Sequence, residues 1–283
     1  MTWPLLELVH KTTQYFEQKN IPSPRASSEI LMALVLECRR VDLYVRYNDI
    51  LSDDVVNRFR EFVKRRAQGE PIAYITGHRE FWSLDFEVGR GVLIPRPETE
   101  IVIEDIQKNF SKENCFSCFE WGAGSGAVSI ALASHFSQAH FVASEISKEA
   151  YKYAKKNIEK HKVAVDLREG DGFSVIKDSE KFELFVSNPP YVSEEQFENL
   201  PLEVKNFEPH LALVGGKKGV KFHLEIINQV KQYLKPGAFV YLELDPSQGD
   251  LLKSAFLDQG TFRDVCVLPD YSGRDRIMRV LYG

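Results

Sequence analysis

From residue 116 to the end of the chain, short apolar runs alternate with segments whose apolar residues recur at helical spacing. This alternation predicts an α/β fold, in which a parallel sheet is covered by helices on both faces. The predicted strands lie near residues 116–121, 140–145, 165–168, 184–187, 239–244, 262–268 and 277–282. Because the loop between the last two is too short for a crossover helix, we predict that they pair as an antiparallel hairpin.

The first third of the chain has a different pattern. Apolar residues recur at helical spacing up to about Gly69, and Ser23-Pro24 is typical of a helix start. Between Ala73 and Pro95 they alternate loosely among turn residues, which predicts a β-hairpin. We therefore predict a helical domain at residues 1–72, a hairpin linker at residues 73–95 and an α/β domain at residues 96–283.

A glycine-rich loop follows the first predicted strand of the α/β domain and opens a helix. It consists of Gly122, Ala123, Gly124, Ser125 and Gly126. Glycine lets a backbone approach a ligand closely, and ligands of open α/β sheets bind at the carboxyl ends of strands. The G-x-G-x-G spacing differs from that of dinucleotide-binding loops and P-loops, and no lysine is placed for a phosphate. A cofactor without phosphates, S-adenosylmethionine, fits this loop best.

Acidic residues stand at successive predicted strand ends. Glu145 ends the second strand, where a carboxylate can accept hydrogen bonds from both ribose hydroxyls. Asp171 follows the third strand and is a candidate acceptor for the adenine amino group, with Phe173 as a cover for the ring. Glu120 is a candidate partner of the methionine ammonium. Each acid alone is also typical of a solvated loop, but their order favours a cofactor site.

The loop Asn188-Pro189-Pro190-Tyr191 follows the fourth predicted strand. Its two prolines fix φ and remove two N–H donors, so acceptors predominate. The Asn188 side-chain oxygen and the Pro189 carbonyl can bind both hydrogens of a substrate –NH2, and Tyr191 can stack on the planar group. We predict that these three residues are catalytic, and that Pro190 and the proline-flanked Arg96 complete the substrate site. A Pro-Pro turn with a packing tyrosine is the alternative.

Charge and composition limit the classes of partner. The net charge is −5, whereas nucleic-acid binders usually carry a basic face, so we expect no direct nucleic-acid binding. Two basic runs, Lys64 to Arg66 and Lys152 to Lys162, are interpreted as solvated helix faces. With neither a membrane span nor a signal peptide in the sequence, we expect a cytoplasmic protein. Cys115 and Cys118 form a lone C-x-x-C pair, interpreted as part of a buried strand rather than a metal or redox site.

Over nearly its whole length the chain resembles the peptide chain release factor glutamine N5-methyltransferases, also called the HemK or PrmC family. The matching segments are Ser23 to Arg25, Glu29 to Leu31, Gly69 to Gly77, Phe81-Trp82, Leu93 to Glu100, Asn188 to Tyr191, Phe207 to Pro209, Ala212-Leu213 and Gly273 to Arg276. The resemblance implies a Rossmann-like class I methyltransferase fold with a seven-stranded sheet. It also implies that Gly122 to Gly126, Glu145, Gly172 and Asn188 line the site of S-adenosylmethionine.

The same resemblance implies a substrate and a partner. The substrate would be the glutamine in the Gly-Gly-Gln motif of class-I release factors, docked in part by the helical domain. Separately from the resemblance, we expect a monomer. This chain departs from the family's usual residues at several positions. The family usually has aspartate at the positions of Glu98, Glu120 and Glu145, an aliphatic residue at that of Trp121 and often an aromatic residue at that of Gly172.

Three other functions share parts of this pattern. A sister enzyme would methylate a glutamine of a ribosomal protein. An adenine-N6 DNA methyltransferase would present the same two hydrogens to the loop at Asn188, but it must flip the base and normally carries a basic DNA face. A binding module would keep the cofactor fold without catalysis, against which the intact loop from Asn188 to Tyr191 argues.

Overall fold

The computed structural model describes residues 3–283, which form two compact units. One unit contains the residues up to Gly77 together with Leu202–Phe207, and the other contains His78–Pro201 and Glu208–Gly283. Residues 1 and 2, which belong to the predicted helical domain of residues 1–72, lie outside the described residues. Within residues 3–283, no helix has both the length and the apolar character that crossing a bilayer requires.

The first unit is mainly helical, as its apolar periodicity predicts. Its elements are β1 (Trp3–Pro4), α1 (Leu5–Gln18), α2 (Pro24–Val35), α3 (Asp42–Val45), β2 (Ile50–Leu51), α4 (Asp53–Ala67) and α5 (Ile72–Thr76). Helices α1, α2 and α4 bury apolar faces that share one core, with Phe16, Leu31 and Phe59 fully enclosed. The side chain of Ser52 caps α4 by accepting a hydrogen bond from the Val55 backbone N–H.

Arg66 of α4 is buried, so the prediction that it belongs to a solvated face is wrong. Its guanidinium donates to the Glu203 carboxylate at 2.7 Å and to the backbone oxygen of Glu70 at 2.9 Å. A buried cation requires such partners, because leaving water costs several kcal/mol. Glu203 lies 137 residues further along the chain, and helical periodicity gives no sign of a contact at that distance.

The predicted β-hairpin is present but shorter than the linker assigned to it. Strands β3 (His78–Phe81) and β4 (Leu84–Glu87) pair antiparallel around Trp82 and Ser83, which both have positive φ as a tight two-residue hairpin turn requires. Residues 73–76 belong to helix α5 instead, which corrects the prediction of a β conformation there. Gly77 at φ 78° ends that helix in a left-handed conformation, as glycine does at many helix ends.

The rest of the chain builds the sheet and its covering helices. The elements are α6 (Glu100–Asn109), β5 (Ser117–Trp121), α7 (Ala127–His135), β6 (His140–Glu145), α8 (Lys148–His161), β7 (Val165–Glu169), β8 (Phe182–Ser187), α9 (Glu194–Glu198), α10 (Leu202–Phe207, in the first unit), α11 (Lys221–Gln229), β9 (Leu234–Glu243), α12 (Gly249–Asp258), β10 (Phe262–Pro269) and β11 (Asp275–Tyr282). Strand β9 begins before the predicted residue 239 because Leu234 already pairs with Phe182.

The seven strands lie in the order β10-β11-β9-β8-β5-β6-β7. Strands β5 to β9 are parallel to their neighbours among themselves, and β11 runs antiparallel to both β9 and β10. The predicted seven-stranded sheet with a final antiparallel hairpin is therefore confirmed. Its central strands carry fully buried side chains such as Phe119, Phe141 and Phe185, so the sheet gives a rigid base to the loops at its carboxyl edge.

Candidate active site

The loops that carry the predicted site residues meet at one edge of the sheet. Strands β6, β5 and β8 are adjacent and parallel, so the segments after Glu145, Trp121 and Ser187 leave the sheet side by side. Two adjoining cavities lie there, and both are lined by Leu93, Gly122, Gly124 and Asn188. This is the carboxyl edge at which ligands of open α/β sheets bind.

The larger cavity has a volume of about 300 Å³. Predicted residues on its wall are Gly122, Gly124, Glu145, Asp171, Asn188 and Pro190, and the sequence interpretation did not anticipate Trp121 and Lys221 there. The smaller cavity, of about 50 Å³, is lined by the predicted residues Arg96, Glu120, Ala123 and Ser125, together with Thr99. The structure thus brings most of the predicted site residues to two neighbouring spaces.

Two glycines of the loop after β5 leave room for a ligand. Gly122 and Gly124 have φ values of +79° and +59°, and a Cβ atom at either would meet no other atom within 4 Å. Side chains at these positions would be strained and would project into the cavity. Gly126 differs, because a Cβ there would lie 2.9 Å from the Ile130 side chain, and Gly126 lines neither cavity.

Glu145, the last residue of β6, presents a fixed carboxylate to the larger cavity. One oxygen accepts a hydrogen bond from the Gly124 N–H at 2.7 Å, and the other accepts one from the Ser147 N–H at 2.8 Å. Burial raises the pKa of this carboxyl above its ordinary value, although these N–H groups act in the opposite direction. Each oxygen retains a further acceptor position for a ligand hydroxyl.

Glu120 is buried behind the glycine loop and borders the smaller cavity. Its carboxylate accepts hydrogen bonds from the backbone N–H and the hydroxyl of Ser129. Burial raises the pKa of Glu120 to about 8, so the group holds a proton at neutral pH unless a cation approaches it. A neighbouring ammonium would favour the charged carboxylate.

The aromatic surface of the larger cavity comes from Trp121 and Phe222 and not from Phe173, which corrects the prediction for that side chain. Phe173 points into the core, where its ring stacks on that of Tyr233 at 4.8 Å. Gly172 lines neither cavity, because the indole of Trp121 occupies the adjacent space. A Cβ atom on Gly172 would stand 1.8 Å from Trp121 Nε1.

Asn188 lies where the two cavities meet, at the end of β8. Its amide nitrogen donates a hydrogen bond to Thr99 Oγ1 at 3.3 Å, and Thr99 in turn donates to the carboxylate of Glu243 at 2.5 Å. The phenol of Tyr191 donates to the other oxygen of Glu243 at 3.0 Å. Within residues 3–283, no hydrogen bond uses the side-chain oxygen of Asn188 or the carbonyl of Pro189. Two acceptors of the loop are thus left for a ligand.

Neither Tyr191 nor Pro189 is among the residues that line these two cavities. Burial, together with the nearby Glu243, raises the pKa of the Tyr191 phenol. The backbone oxygen of Tyr191 accepts a hydrogen bond from the Gln248 side chain at 2.9 Å. The loop is therefore held at its phenol and at its backbone, which keeps the acceptors of Asn188 and Pro189 in place.

Arg96 borders the smaller cavity, but its charge is already paired. Its guanidinium donates to the carboxylate of Glu208 at 2.6 Å, and the same carboxylate accepts from the Ile94 N–H at 3.1 Å. In the structure the direction of the Arg96 side chain follows its pairing with Glu208. An arginine held in this way offers only its remaining N–H donors to a ligand.

The sequence patterns described above predict no role for four residues of this region: Thr99, Glu243, Trp121 and Lys221. One signal was available for Glu243, because an acidic residue near the end of an otherwise apolar strand is unusual. Trp121 carried a comparable signal, since it directly precedes the glycine loop. No feature of the neighbouring sequence singles out Thr99, and its contact with Glu243 is evident only in the folded structure.

Comparison with known proteins adds independent information. The family of the PrmC N-terminal domain matches residues 7–77, and the family of the methyltransferase small domain matches residues 97–203. The release factor glutamine methyltransferase of Koribacter versatilis is 37% identical over 265 residues, which cover 94% of each chain. That of Rhodopirellula baltica is 34% identical over 282 residues, which cover 98% of this chain and 95% of the other.

Solved structures agree on the fold. The crystal structure of a methyltransferase from Pyrococcus furiosus superposes with a TM-score of 0.53 at 23% identity, covering 80% of this chain and 98% of that one. At this level of identity the likeness shows the fold alone, which is the predicted class I methyltransferase fold.

Proposed function

Because the chain belongs to the release factor glutamine methyltransferases, we propose that it methylates a glutamine side chain of class-I peptide chain release factors. The methyl donor is S-adenosylmethionine, and the acceptor is the amide N5 of the glutamine in the Gly-Gly-Gln motif. The observation that carries this proposal is the position of Asn188, which borders both cavities and leaves its amide oxygen without a partner among the described residues.

The larger cavity fits the nucleoside part of S-adenosylmethionine. Its volume of about 300 Å³ lies at the lower end of the roughly 300–1,000 Å³ typical of small-molecule sites. Glu145 presents acceptors to the ribose hydroxyls, and Gly122 and Gly124 leave space for the ligand. Trp121 gives a flat surface for the adenine ring, with Asp171 as an acceptor for its amino group. When bound, the cofactor supplies a methyl group activated by a positively charged sulfur.

The smaller cavity fits a cation beside Glu120. A buried carboxyl whose pKa lies near 8 ionises when an ammonium approaches, and the pair then offsets the cost of burying each charge. We assign this place to the methionine ammonium. Arg96 is assigned to the substrate site because it lines the same cavity as Asn188.

The loop that begins at Asn188 holds the acceptor amide. The side-chain oxygen of Asn188 and the carbonyl of Pro189 would bind its two hydrogens and so orient the nitrogen for methyl transfer. Both oxygens stabilise the positive charge that develops on nitrogen as the nitrogen–carbon bond forms and the carbon–sulfur bond breaks. The methylated nitrogen then loses one proton to solvent. Tyr191, fixed through Glu243, supports the loop from below.

Transfer of a labelled methyl group tests the proposal. The full chain is incubated with labelled S-adenosylmethionine and, in separate reactions, with a class-I release factor, the same factor with the motif glutamine changed to alanine, ribosomal proteins, and DNA. We expect label on the unchanged release factor alone. Label on ribosomal protein or DNA, with none on the release factor, would contradict the substrate assignment.

A further inference from the structure

Glu243 is a buried carboxylate that the reaction as described above does not use. It is the last residue of β9, and its side chain is only 1% exposed. Both carboxylate oxygens accept hydrogen bonds from residues of the candidate active site. One bond comes from the hydroxyl of Thr99 and the other from the phenol of Tyr191. Because an ionised carboxylate is an acceptor only, both partners must donate to it.

The hydrogen count at Thr99 has a consequence for Asn188. A threonine hydroxyl has one hydrogen, and the Glu243 carboxylate takes it at 2.5 Å. Thr99 Oγ1 can then only accept a hydrogen bond from Asn188, and the distance to the amide nitrogen is 3.3 Å. The NH2 group of Asn188 must therefore face Thr99, and its carbonyl oxygen must face the opposite way.

This orientation matters because the asparagine amide could be placed in two ways. Its oxygen and nitrogen have nearly the same size, so packing around Asn188 does not distinguish them. With the oxygen facing the acceptor group, the amide can bind an N–H hydrogen of the substrate. If the NH2 group of Asn188 faced the substrate amide instead, two hydrogen-bond donors would face each other. The substrate nitrogen would then lose one of its two hydrogen-bond acceptors.

We propose that Glu243 and Thr99 are positioning residues that fix the polarity of the Asn188 side-chain amide, while Glu243 also anchors the phenol of Tyr191. The proposal rests on the proposed function, because it concerns the same acceptor site. Glu243 lines neither cavity, and Thr99 borders the smaller one with its hydroxyl hydrogen directed at Glu243. Their effect passes through Asn188 and Tyr191, so we expect a larger effect on turnover than on cofactor binding.

Protonation of Glu243 would reverse the arrangement. A protonated carboxyl can donate to Thr99 Oγ1, and the threonine hydrogen is then free to turn toward the oxygen of Asn188. The charged or titratable groups around Glu243 are Tyr191 in the loop, Arg96 and Glu98 before α6, Arg276 on β11 and His223 on α11. Burial raises the pKa of Glu243, while Thr99, Tyr191 and Arg276 favour its charged form. The active polarity is the one present above that pKa.

The first test compares three variants at saturating cofactor. Thr99→Val removes the hydroxyl at nearly constant volume, and we expect kcat to fall about tenfold or more, the effect of one lost hydrogen bond. Thr99→Ser keeps the hydroxyl and should recover most of that loss. Thr13→Val, which removes a buried hydroxyl bonded to the Val9 backbone in the helical unit, is the matched control and should leave kcat unchanged. Cofactor affinity by calorimetry should stay within about threefold in all three variants.

The pH profile of kcat gives a second criterion. In the unchanged chain, kcat should fall as the pH is lowered through the pKa of Glu243. The glutamine side chain of Glu243→Gln does not titrate, so kcat of this variant should be low and independent of pH over the same pH range. The Glu120 and Glu145 carboxyls act on cofactor binding, and saturation with cofactor removes their titration from kcat. Equal losses in Thr99→Val and Thr99→Ser, or an unchanged acid limb in Glu243→Gln, would overturn the proposal.

A measurement without substrate separates this proposal from the proposed function. The full chain is labelled with ¹⁵N at asparagine, and the side-chain amide signal of Asn188 is identified by its loss in Asn188→Ala. We expect slow hydrogen exchange of that amide in the unchanged chain and in Thr99→Ser, and faster exchange in Thr99→Val. Equal exchange in all three would refute the role of Thr99. An unchanged chain that leaves the release factor unmethylated would remove only the proposed function.

Discussion

At the carboxyl edge of the sheet, the cofactor side and the acceptor side are held by contacts that differ in sequence separation. On the cofactor side, Glu145 accepts a hydrogen bond from Gly124, 21 residues before it. On the acceptor side, Asn188 contacts Thr99 across 89 residues, and Thr99 contacts Glu243 across 144 residues. The contact between Gly124 and Glu145 forms within one β-α-β unit. The contacts of Asn188, Thr99 and Glu243 form only when β8 and β9 are both in the sheet. Cofactor binding and turnover should therefore be separable by mutation.

Asn188→Ala should give the largest effect and the clearest separation. Loss of an acceptor aimed at developing charge typically lowers kcat on the order of 100- to 1,000-fold. Cofactor affinity should change less than about threefold, because the contacts of Glu145 and the glycine loop remain. Methyl-transfer kinetics and calorimetry measure the two quantities. The exposed Asn199→Ala is the control. A parallel loss of cofactor affinity in Asn188→Ala would contradict the separation of cofactor binding from turnover.

Glu145→Ala should produce the opposite pattern. Hydrogen bonds to a charged group contribute about 1.5–3 kcal/mol, so the dissociation constant of the cofactor should rise about 10- to 100-fold. At saturating cofactor, kcat should stay within about threefold of its original value. Glu169→Ala, at the exposed end of the neighbouring strand β7, is a matched control. A large loss of kcat with unchanged affinity would place Glu145 on the acceptor side.

Gly172→Ala tests the tightest contact on the cofactor side. The new methyl group would stand 1.8 Å from Trp121 Nε1, and such overpacking costs about 1–3 kcal/mol of unfolding free energy. Adding Trp121→Leu should recover part of that loss in denaturant unfolding, because the indole no longer fills the space. Gly237→Ala has a similar positive φ but no atom within 4 Å, so it measures the backbone strain alone. Equal destabilisation by Gly172→Ala and Gly237→Ala would argue against the contact.

Glu120→Gln should give the smallest effect on stability, visible as a pH dependence of unfolding measured without cofactor. The folded-state pKa of about 8 lies above the unfolded value, so the folded chain keeps a proton that the unfolded chain has released. Stability from this group is complete at acid pH and is lost as the pH rises through 8. Between pH 6 and pH 7, the unchanged chain should lose about 1 kcal/mol relative to Glu120→Gln. Parallel stability curves for the two proteins would contradict the raised pKa.

The sequence predicts those parts of the molecule that local patterns determine. The strand–helix alternation gives the sheet and its final hairpin, and the glycine spacing gives the loop from Gly122 to Gly126. Glu145 could be placed because the carboxyl ends of adjacent parallel strands share one edge. These inferences need only the neighbouring elements of the chain, which is why they agree with the structure.

What the sequence missed depends on distant contacts. Thr99 gains its role from Glu243, and the burial of Arg66 depends on Glu203, 137 residues away. The direction of a side chain within a turn is also unpredictable from its position. The side chain of Phe173 points into the core, and Trp121 lines the cavity at which the sequence predicts Phe173. Periodicity identifies the element but not the neighbour that each side chain meets.

We propose that the loop from Asn188 to Tyr191 holds the acceptor amide by its two hydrogens. A crystal structure of the full chain with S-adenosylhomocysteine and a release factor carrying the Gly-Gly-Gln motif measures this directly. We expect the glutamine amide nitrogen about 3 Å from both the side-chain oxygen of Asn188 and the carbonyl of Pro189. A complex in which the glutamine binds elsewhere, with the Asn188 oxygen facing solvent, would contradict the claim.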